Sequence, residues 1–135
     1  MLKSLLTILI VVFTFNIICQ VESSSQNTEE IYTFVDEEAE YPGGLNRMAQ
    51  YISKNFRYPT RAIEEGIEGR IYVLFVINKR GKVTKANIEK GLPECPECEE
   101  EALRIIRGMP KWKPARKNGR KVNCYFRLPL NFALE

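Results

Sequence analysis

The chain contains no histidine among its 135 residues. Serine or cysteine nucleophiles that rely on a histidine base need an imidazole, and so do zinc sites with histidine ligands. A glycine-rich loop of the kind that holds phosphates is also missing from the sequence. We therefore expect no enzyme activity, no metal site and no cofactor.

Long apolar runs are missing too, apart from one near the start, Leu5 to Ile18. This run is shorter than the about 20 residues of a membrane-spanning helix, and Lys3 gives it the positive charge that precedes an export signal. Val21 and Ser23 fit a cleavage site just before Ser24. The sequence therefore predicts a signal peptide or short membrane anchor at 1–23, a disordered linker at 24–30 and one folded, exported domain at 31–135.

Cys19 offers a second route to a membrane, because a cysteine directly after an apolar run can carry a lipid. The preceding residue should then be small, whereas here it is Ile18. We expect membrane contact only through an uncleaved or lipidated N-terminus.

Charge is distributed unevenly although the net charge is only +3. Acidic residues dominate the start of the chain and basic residues the end, so the two surfaces are expected to complement each other. Binding to nucleic acid would need aromatic residues among the basic ones, and an exported protein does not meet nucleic acid. The acidic group is Glu22, Glu29, Glu30, Asp36, Glu37, Glu38 and Glu40, and the basic group is Lys111, Lys113, Arg116, Lys117, Arg120, Lys121 and Arg127.

Hydrophobic periodicity predicts the order strand, helix, helix, strand, strand, helix, strand. A helix to about Asn55 should bury the stripe Leu45, Met48, Ala49, Ile52 and Phe56. A short helix from Pro59 should bury Ala62 and Ile63. The returning strand of a hairpin should carry a bulge, or the turn itself, at Val83, and residues 113–121 should form a basic loop. The fold class is α+β, with an antiparallel sheet of three to four strands packed on helices.

Cys95 and Cys98 form a C-x-x-C motif at the start of a predicted helix, where a thiolate is stabilised. A thiol-disulfide oxidoreductase is therefore one alternative function, although the βαβ unit that carries this motif in such enzymes is missing. A metal site would need a second ligand pair, and only Cys124 remains. A structural role is a further alternative, in which Cys98 and Cys124 meet in the core, either bridged or as small hydrophobic residues.

The last strand, from Val122 onward, is apolar at every second residue. This period indicates one buried face. Pro129 lies within the run and cannot donate to a sheet ladder, which favours a position at a sheet edge.

A set of short motifs resembles the C-terminal domain of TonB-family proteins over about residues 31–134. Tyr41-Pro42-Gly43-Gly44 and the helix after it resemble a longer variant of that domain. The other motifs are Tyr58-Pro59-x-x-Ala62, Gly66-x-x-Gly69, Val73-x-Phe75-x-Ile77, Gly81-x-Val83, Glu100-Glu101-Ala102, Met109-Pro110-x-Trp112-x-Pro114 and Leu128-Pro129-x-Asn131-Phe132.

The resemblance implies a periplasmic module of Gram-negative bacteria that binds the TonB-box peptide of an outer-membrane transporter. The peptide would pair as an added strand with the last strand of the domain. The residues implied in binding are Val122, Asn123, Cys124, Tyr125, Phe126, Arg127 and Leu128.

Two features of this sequence differ from the full-length members of the family that its motifs resemble. The first segment has no histidine, and an extended linker over 24–30 spans about 25 Å at most, which is far less than a periplasm. The resemblance therefore implies peptide binding without implying energy transduction. A self-pairing subunit or homodimer is a third functional alternative, because an edge that accepts a peptide can also accept a second copy.

Overall fold

The computed structural model describes residues 29–135 of the chain. The predicted signal and most of the predicted linker lie outside the described residues. Within 29–135, no helix combines the length and the hydrophobicity required to cross a bilayer.

Nine elements follow one another in the described part of the chain. The order is β1 (Ile31–Tyr32), α1 (Gly44–Asn55), α2 (Thr60–Glu64), β2 (Gly69–Ile77), β3 (Val83–Lys90), α3 (Pro96–Arg107), β4 (Arg116–Lys117), β5 (Arg120–Lys121) and β6 (Asn123–Phe132).

One four-stranded sheet organises the domain, in the order β1-β6-β2-β3. The central pair, β2 and β6, is antiparallel and in unbroken register from Gly69 opposite Phe132 to Ile77 opposite Cys124. β3 is antiparallel to β2, whereas the two residues of β1 run parallel to β6. The predicted α+β class is confirmed, and the sheet is mixed because of β1.

The core lies between one face of the sheet and the helices. Phe75 and Phe132 from the central strands and Ile106 from α3 have no solvent exposure. Burying a side chain of this size contributes about 1.5–3 kcal/mol. Alternate residues of β6 reach this core, as its period of two predicts.

Three predicted core positions are wrong. Leu45 is 71% exposed and borders an open cavity, Ala49 is exposed, and Ile63 is 51% exposed. α2 has only five residues and buries Ala62 alone, since the next residue points about 100° further around the helix. Single apolar residues on a surface are common in soluble proteins.

Two local features also differ from expectation. Val83 pairs regularly with Ile77, and two register shifts lie further along β3. The first is next to Lys85, which has a φ of 49°, and the second lies between Ile88 and Lys90. The segment expected to be a basic loop forms the hairpin β4–β5, with Asn118 and Gly119 at φ 52° and 75° in its turn. Asn-Gly is the sequence signal for such a turn.

The acidic start of the domain lies against the basic segment before β6. The backbone N–H of Glu37 donates to the carbonyl of Arg116 at 3.0 Å, and Lys113 and Glu40 exchange backbone hydrogen bonds at 2.8 and 3.0 Å. The N–H of Asn118 donates to the Asp36 carboxylate at 2.7 Å. These contacts hold residues 36–40 against the segment that precedes β6.

Candidate functional site

The free edge of β6 begins later than the sequence predicts. Val122 precedes the strand, and its N–H donates to the carbonyl of Ala115 at 3.0 Å. Asn123 and Cys124 are already paired with β1, opposite Ile31 and Tyr32. Beyond Cys124, no strand in the described part of the chain pairs with this side of β6. We define the free edge as residues 125–131.

The direction of the backbone groups along this edge follows from the neighbouring hairpin. The N–H of Asn78 donates across the hairpin to Lys82, toward β3. N–H directions alternate along a strand, so Ile77 and Phe75 direct theirs toward β6 and form the hydrogen-bonded pairs with Cys124 and Phe126. The residues between them on β6 therefore direct their N–H groups outward.

Pro129 agrees with this assignment. It lies opposite Tyr72 within the ladder, and the ladder remains regular there. A proline is tolerated at such a position only if the missing N–H would have pointed away from the neighbouring strand. The N–H of Tyr125 also points outward but faces the carbonyl of Tyr32 in the parallel ladder with β1, so the free outward donors are the N–H groups of Arg127 and Asn131.

Side chains at the free edge are exposed but partly fixed. Tyr125 is 42% exposed. The guanidinium of Arg127 lies 4.2 Å from the centre of the Tyr72 ring and forms an ion pair with Glu89. These contacts lie on the solvent face of the sheet, so they leave the backbone edge open.

A cavity of about 200 Å³ lies between the free edge and residues 33–39, which we call the arm. The arm contributes Thr33, Phe34, Val35, Glu38 and Ala39, and β6 contributes Cys124 to Arg127. Sequence reasoning missed this wall of the site. The signal available was the pair of apolar residues Phe34 and Val35 next to an acidic run, and Phe34 is 83% exposed.

β1 is held at the start of β6 by polar contacts around Asn123. This side chain is only 7% exposed, and its Oδ1 accepts from the N–H of Lys79 at 2.9 Å. Its Nδ2 donates to the Glu29 carboxylate at 3.3 Å, and Lys79 forms an ion pair with Glu29 at 2.6 Å. The hydrogen bond from Lys79, with a smaller one from Asn123, lowers the pKa of Glu29. Asn123 is therefore a buried anchor of β1 and not an exposed position for a ligand.

Cys95 and Cys98 are joined in a disulfide, and Cys124 is a buried free thiol. The prediction that Cys98 and Cys124 could be bridged is therefore wrong. Cys95 also caps α3, since its sulfur accepts from the N–H of Cys98 at 3.2 Å. Neither disulfide residue has any solvent exposure, and burial raises the pKa of the Cys124 thiol. Residues 29–135 contain no group of three His, Cys, Asp or Glu side chains suited to a metal ion.

Comparison with known families matches residues 54–134 to the Gram-negative bacterial TonB protein C-terminal family. This chain belongs to the TonB C-terminal family. The matched span includes the whole free edge, whereas β1, the arm and most of α1 precede it.

Two curated relatives of this TonB-family chain carry the name Protein TonB. They come from Xanthomonas campestris pv. campestris, strains B100 and ATCC 33913, and each is 31% identical over 87 residues. The match covers 61% of this chain and 37% of each relative. The chain therefore spans little more than a third of the length of these relatives.

Solved structures of TonB C-terminal domains are also similar to this chain. The solution structure from Helicobacter pylori is 26% identical, covers 70% of this chain and 87% of its own, and has a TM-score of 0.49. The domain from Pseudomonas aeruginosa is 25% identical. The match covers 58% of this chain and 78% of that domain, with a TM-score of 0.45.

Proposed function

We propose that this TonB-family domain binds an extended peptide of an outer-membrane transporter, which adds as a strand to the free edge of β6. The observation that carries the proposal is the pair of free outward N–H groups on Arg127 and Asn131. A peptide strand paired there gains affinity from main-chain hydrogen bonds and selectivity from alternate side chains. A cavity of about 200 Å³ separates the arm from β6 at this edge.

The opposite edge of the sheet, formed by β3, is less suited to strand addition. Its register against β2 shifts at Lys85, and lysines at positions 85 and 90 lie on it. Bulges and lysines are devices that prevent edge pairing in natural sheets. β6, by contrast, is regular over its whole length against β2.

A role in TonB-dependent transport across the outer membrane is proposed from the family match and the named relatives. Location in the periplasm is proposed from the export signal expected at 1–23. The function needs no catalytic group, so we propose a binding protein and not an enzyme.

Titration calorimetry with TonB-box peptides from transporters of the same genome tests the proposal. Arg127→Pro removes an outward N–H but leaves the bonds between β2 and β6, as Pro129 already does, and should weaken binding more than about tenfold. The matched variant Arg127→Ala keeps the N–H and loses only side-chain contacts. This variant should weaken the free energy of peptide binding by about 1 kcal/mol or less.

Circular dichroism should show both Arg127 variants folded. Equal binding by Arg127→Pro and the native protein across all peptides would contradict strand addition at this edge. Light scattering over a range of protein concentrations would reveal self-pairing instead. In that case Arg127→Pro should remain monomeric while the native protein gains mass.

A further inference from the structure

Four exposed cationic side chains lie together at one end of the sheet. Arg80 and Lys82 come from the turn between β2 and β3, and Lys111 and Lys113 come from the segment after α3. The two segments meet through one backbone contact, in which the N–H of Trp112 donates to the carbonyl of Gly81 at 2.8 Å. We call Arg80, Lys82, Lys111 and Lys113 the basic tip.

The contact between positions 81 and 112 places these four charges side by side. Each of the two contacting residues has one cation before it and one after it. The ring of Trp112 packs on Phe75 in the core at a centroid distance of 5.9 Å, so in an extended segment its two neighbours point away from the core. Paired backbones lie about 5 Å apart, which brings the four Cα atoms within roughly 10 Å of one another.

No carboxylate of the described residues forms an ion pair with the basic tip. The carboxylate of Glu29 lies close enough to interact with the charge of Arg80, but it is already paired with Lys79 at 2.6 Å. Glu40 bonds to Lys113 only through backbone groups, and its carboxylate lies toward Gly44. Like charges at this spacing repel each other, so an anionic partner would be favoured here.

The chain enters the domain beside the basic tip. Glu29 is the first described residue, and its partner Lys79 directly precedes Arg80. The apolar run Leu5 to Ile18, predicted to be part of a signal peptide or short membrane anchor, comes earlier in the sequence. An extended chain over 19–28 spans about 35 Å at most. As an anchor, the apolar run would therefore hold this end of the domain close to a bilayer.

We propose that the basic tip binds the surface of a bilayer that contains anionic phospholipids. Lysine and arginine side chains near such a surface are attracted to its negative potential, and their contributions add. The free edge of β6 remains accessible in this orientation. Ile77, the last residue of β2 before the turn, lies opposite Cys124, so residues 125–131 run away from the basic tip.

Vesicle flotation of the untruncated protein tests this proposal, with vesicles of phosphatidylcholine alone and of phosphatidylcholine mixed with phosphatidylglycerol. The apolar run at the start of the chain should contribute equally to binding of both, so the ratio of the two partition coefficients isolates the effect of charge. The native protein should prefer the anionic vesicles. Arg80→Gln combined with Lys82→Gln should reduce this preference about twentyfold, at roughly fivefold for each cation.

The matched control is Arg70→Gln combined with Lys90→Gln, which removes the same charge at the other end of the sheet. Both residues are exposed, and they lie opposite Asn131 and Tyr72. This control should retain most of the preference for anionic vesicles. Circular dichroism should show both double variants folded, since all four substitutions are at exposed positions.

Equal partitioning of the native protein into both kinds of vesicle would overturn the proposal. An equal loss of preference in the two double variants would also overturn it, because net charge alone would then explain the binding. Inorganic phosphate should compete no better than sodium chloride of the same ionic strength. Stronger competition by phosphate would indicate a site for the free anion and would contradict a lipid surface. None of these outcomes bears on peptide binding at the free edge.

Discussion

Gly81 determines whether Trp112 can approach the turn between β2 and β3. Its φ is +82°, and a Cβ at this position would lie 2.0 Å from the carbonyl oxygen of Trp112. Its own carbonyl accepts the Trp112 N–H at 2.8 Å. Replacement by any other residue therefore imposes backbone strain and a collision with rigid backbone at the same time.

Gly81→Ala should lower the free energy of unfolding by about 2 kcal/mol or more. Gly119→Ala is the matched control, because Gly119 has a similar φ of +75° but no atom within 4 Å of the added Cβ. Gly119→Ala should lower the free energy of unfolding only by the strain of the left-handed backbone, about 1 kcal/mol. Urea unfolding of both variants provides the measurement, and equal losses would argue against the contact with Trp112.

The buried sulfurs predict an absence of thiol-exchange activity. Exchange requires a thiolate to reach a disulfide sulfur, and neither Cys95 nor Cys98 has solvent exposure. Insulin reduction should therefore proceed at the background rate with the native protein and with Cys95→Ser alike. Cys124 should react with thiol reagents only after unfolding, since burial raises its pKa. Insulin reduction that depends on Cys95 would instead support the oxidoreductase alternative.

At the scale of elements, the attachment of β1 to β6 should depend on pH. The hydrogen bond from Lys79 lowers the pKa of Glu29 below its ordinary value of 4.5, so the ionised carboxylate favours the attached state. This contribution is complete above pH 4.5 and is lost as the pH falls through the lowered pKa. Protection of the Ile31 and Tyr32 amides against hydrogen exchange should therefore decrease in acid.

Glu29→Gln is the control for this effect, because an amide at position 29 does not titrate. Its protection at Ile31 and Tyr32 should be weaker near neutrality and insensitive to acid in the same range. An acid-induced loss of protection that is equally large in Glu29→Gln and in the native protein would exclude a role for the charge of Glu29.

Elements with strong hydrophobic periodicity could be predicted from the sequence. Which elements lie next to each other in the fold could not. The strands β2 and β6 and the helix α3 follow directly from alternation and from clear start and stop signals. The parallel pairing of β1 with Asn123 and Cys124 depends on tertiary contacts of only two residues and leaves no pattern in the sequence. For this reason the predicted binding edge started too early, at Val122.

The contacts between individual side chains could not be predicted from the sequence either. Three cysteines allow several pairings, and spacing alone cannot select Cys95 with Cys98. The exposure of Leu45 and the unpaired indole of Trp112 both depend on how the arm crosses the domain, which periodicity does not encode. The family motifs include Trp112 but carry no information about its missing partner.

At the scale of the whole molecule, one surface combines the free edge, the arm and the cavity between them. The family match covers the free edge, whereas the arm precedes residue 54, where the match begins. The family match therefore includes the backbone of β6 and leaves out the wall beside it.

Residue-resolved hydrogen exchange with a saturating transporter peptide tests the central claim most directly. Bound peptide should slow exchange at the free outward amides of Arg127 and Asn131. The amides of Phe126 and Leu128, already paired with β2, should change little. Protection that appears instead along β3, or bound peptide without any protection of these two outward amides, would contradict peptide binding at the free edge of β6.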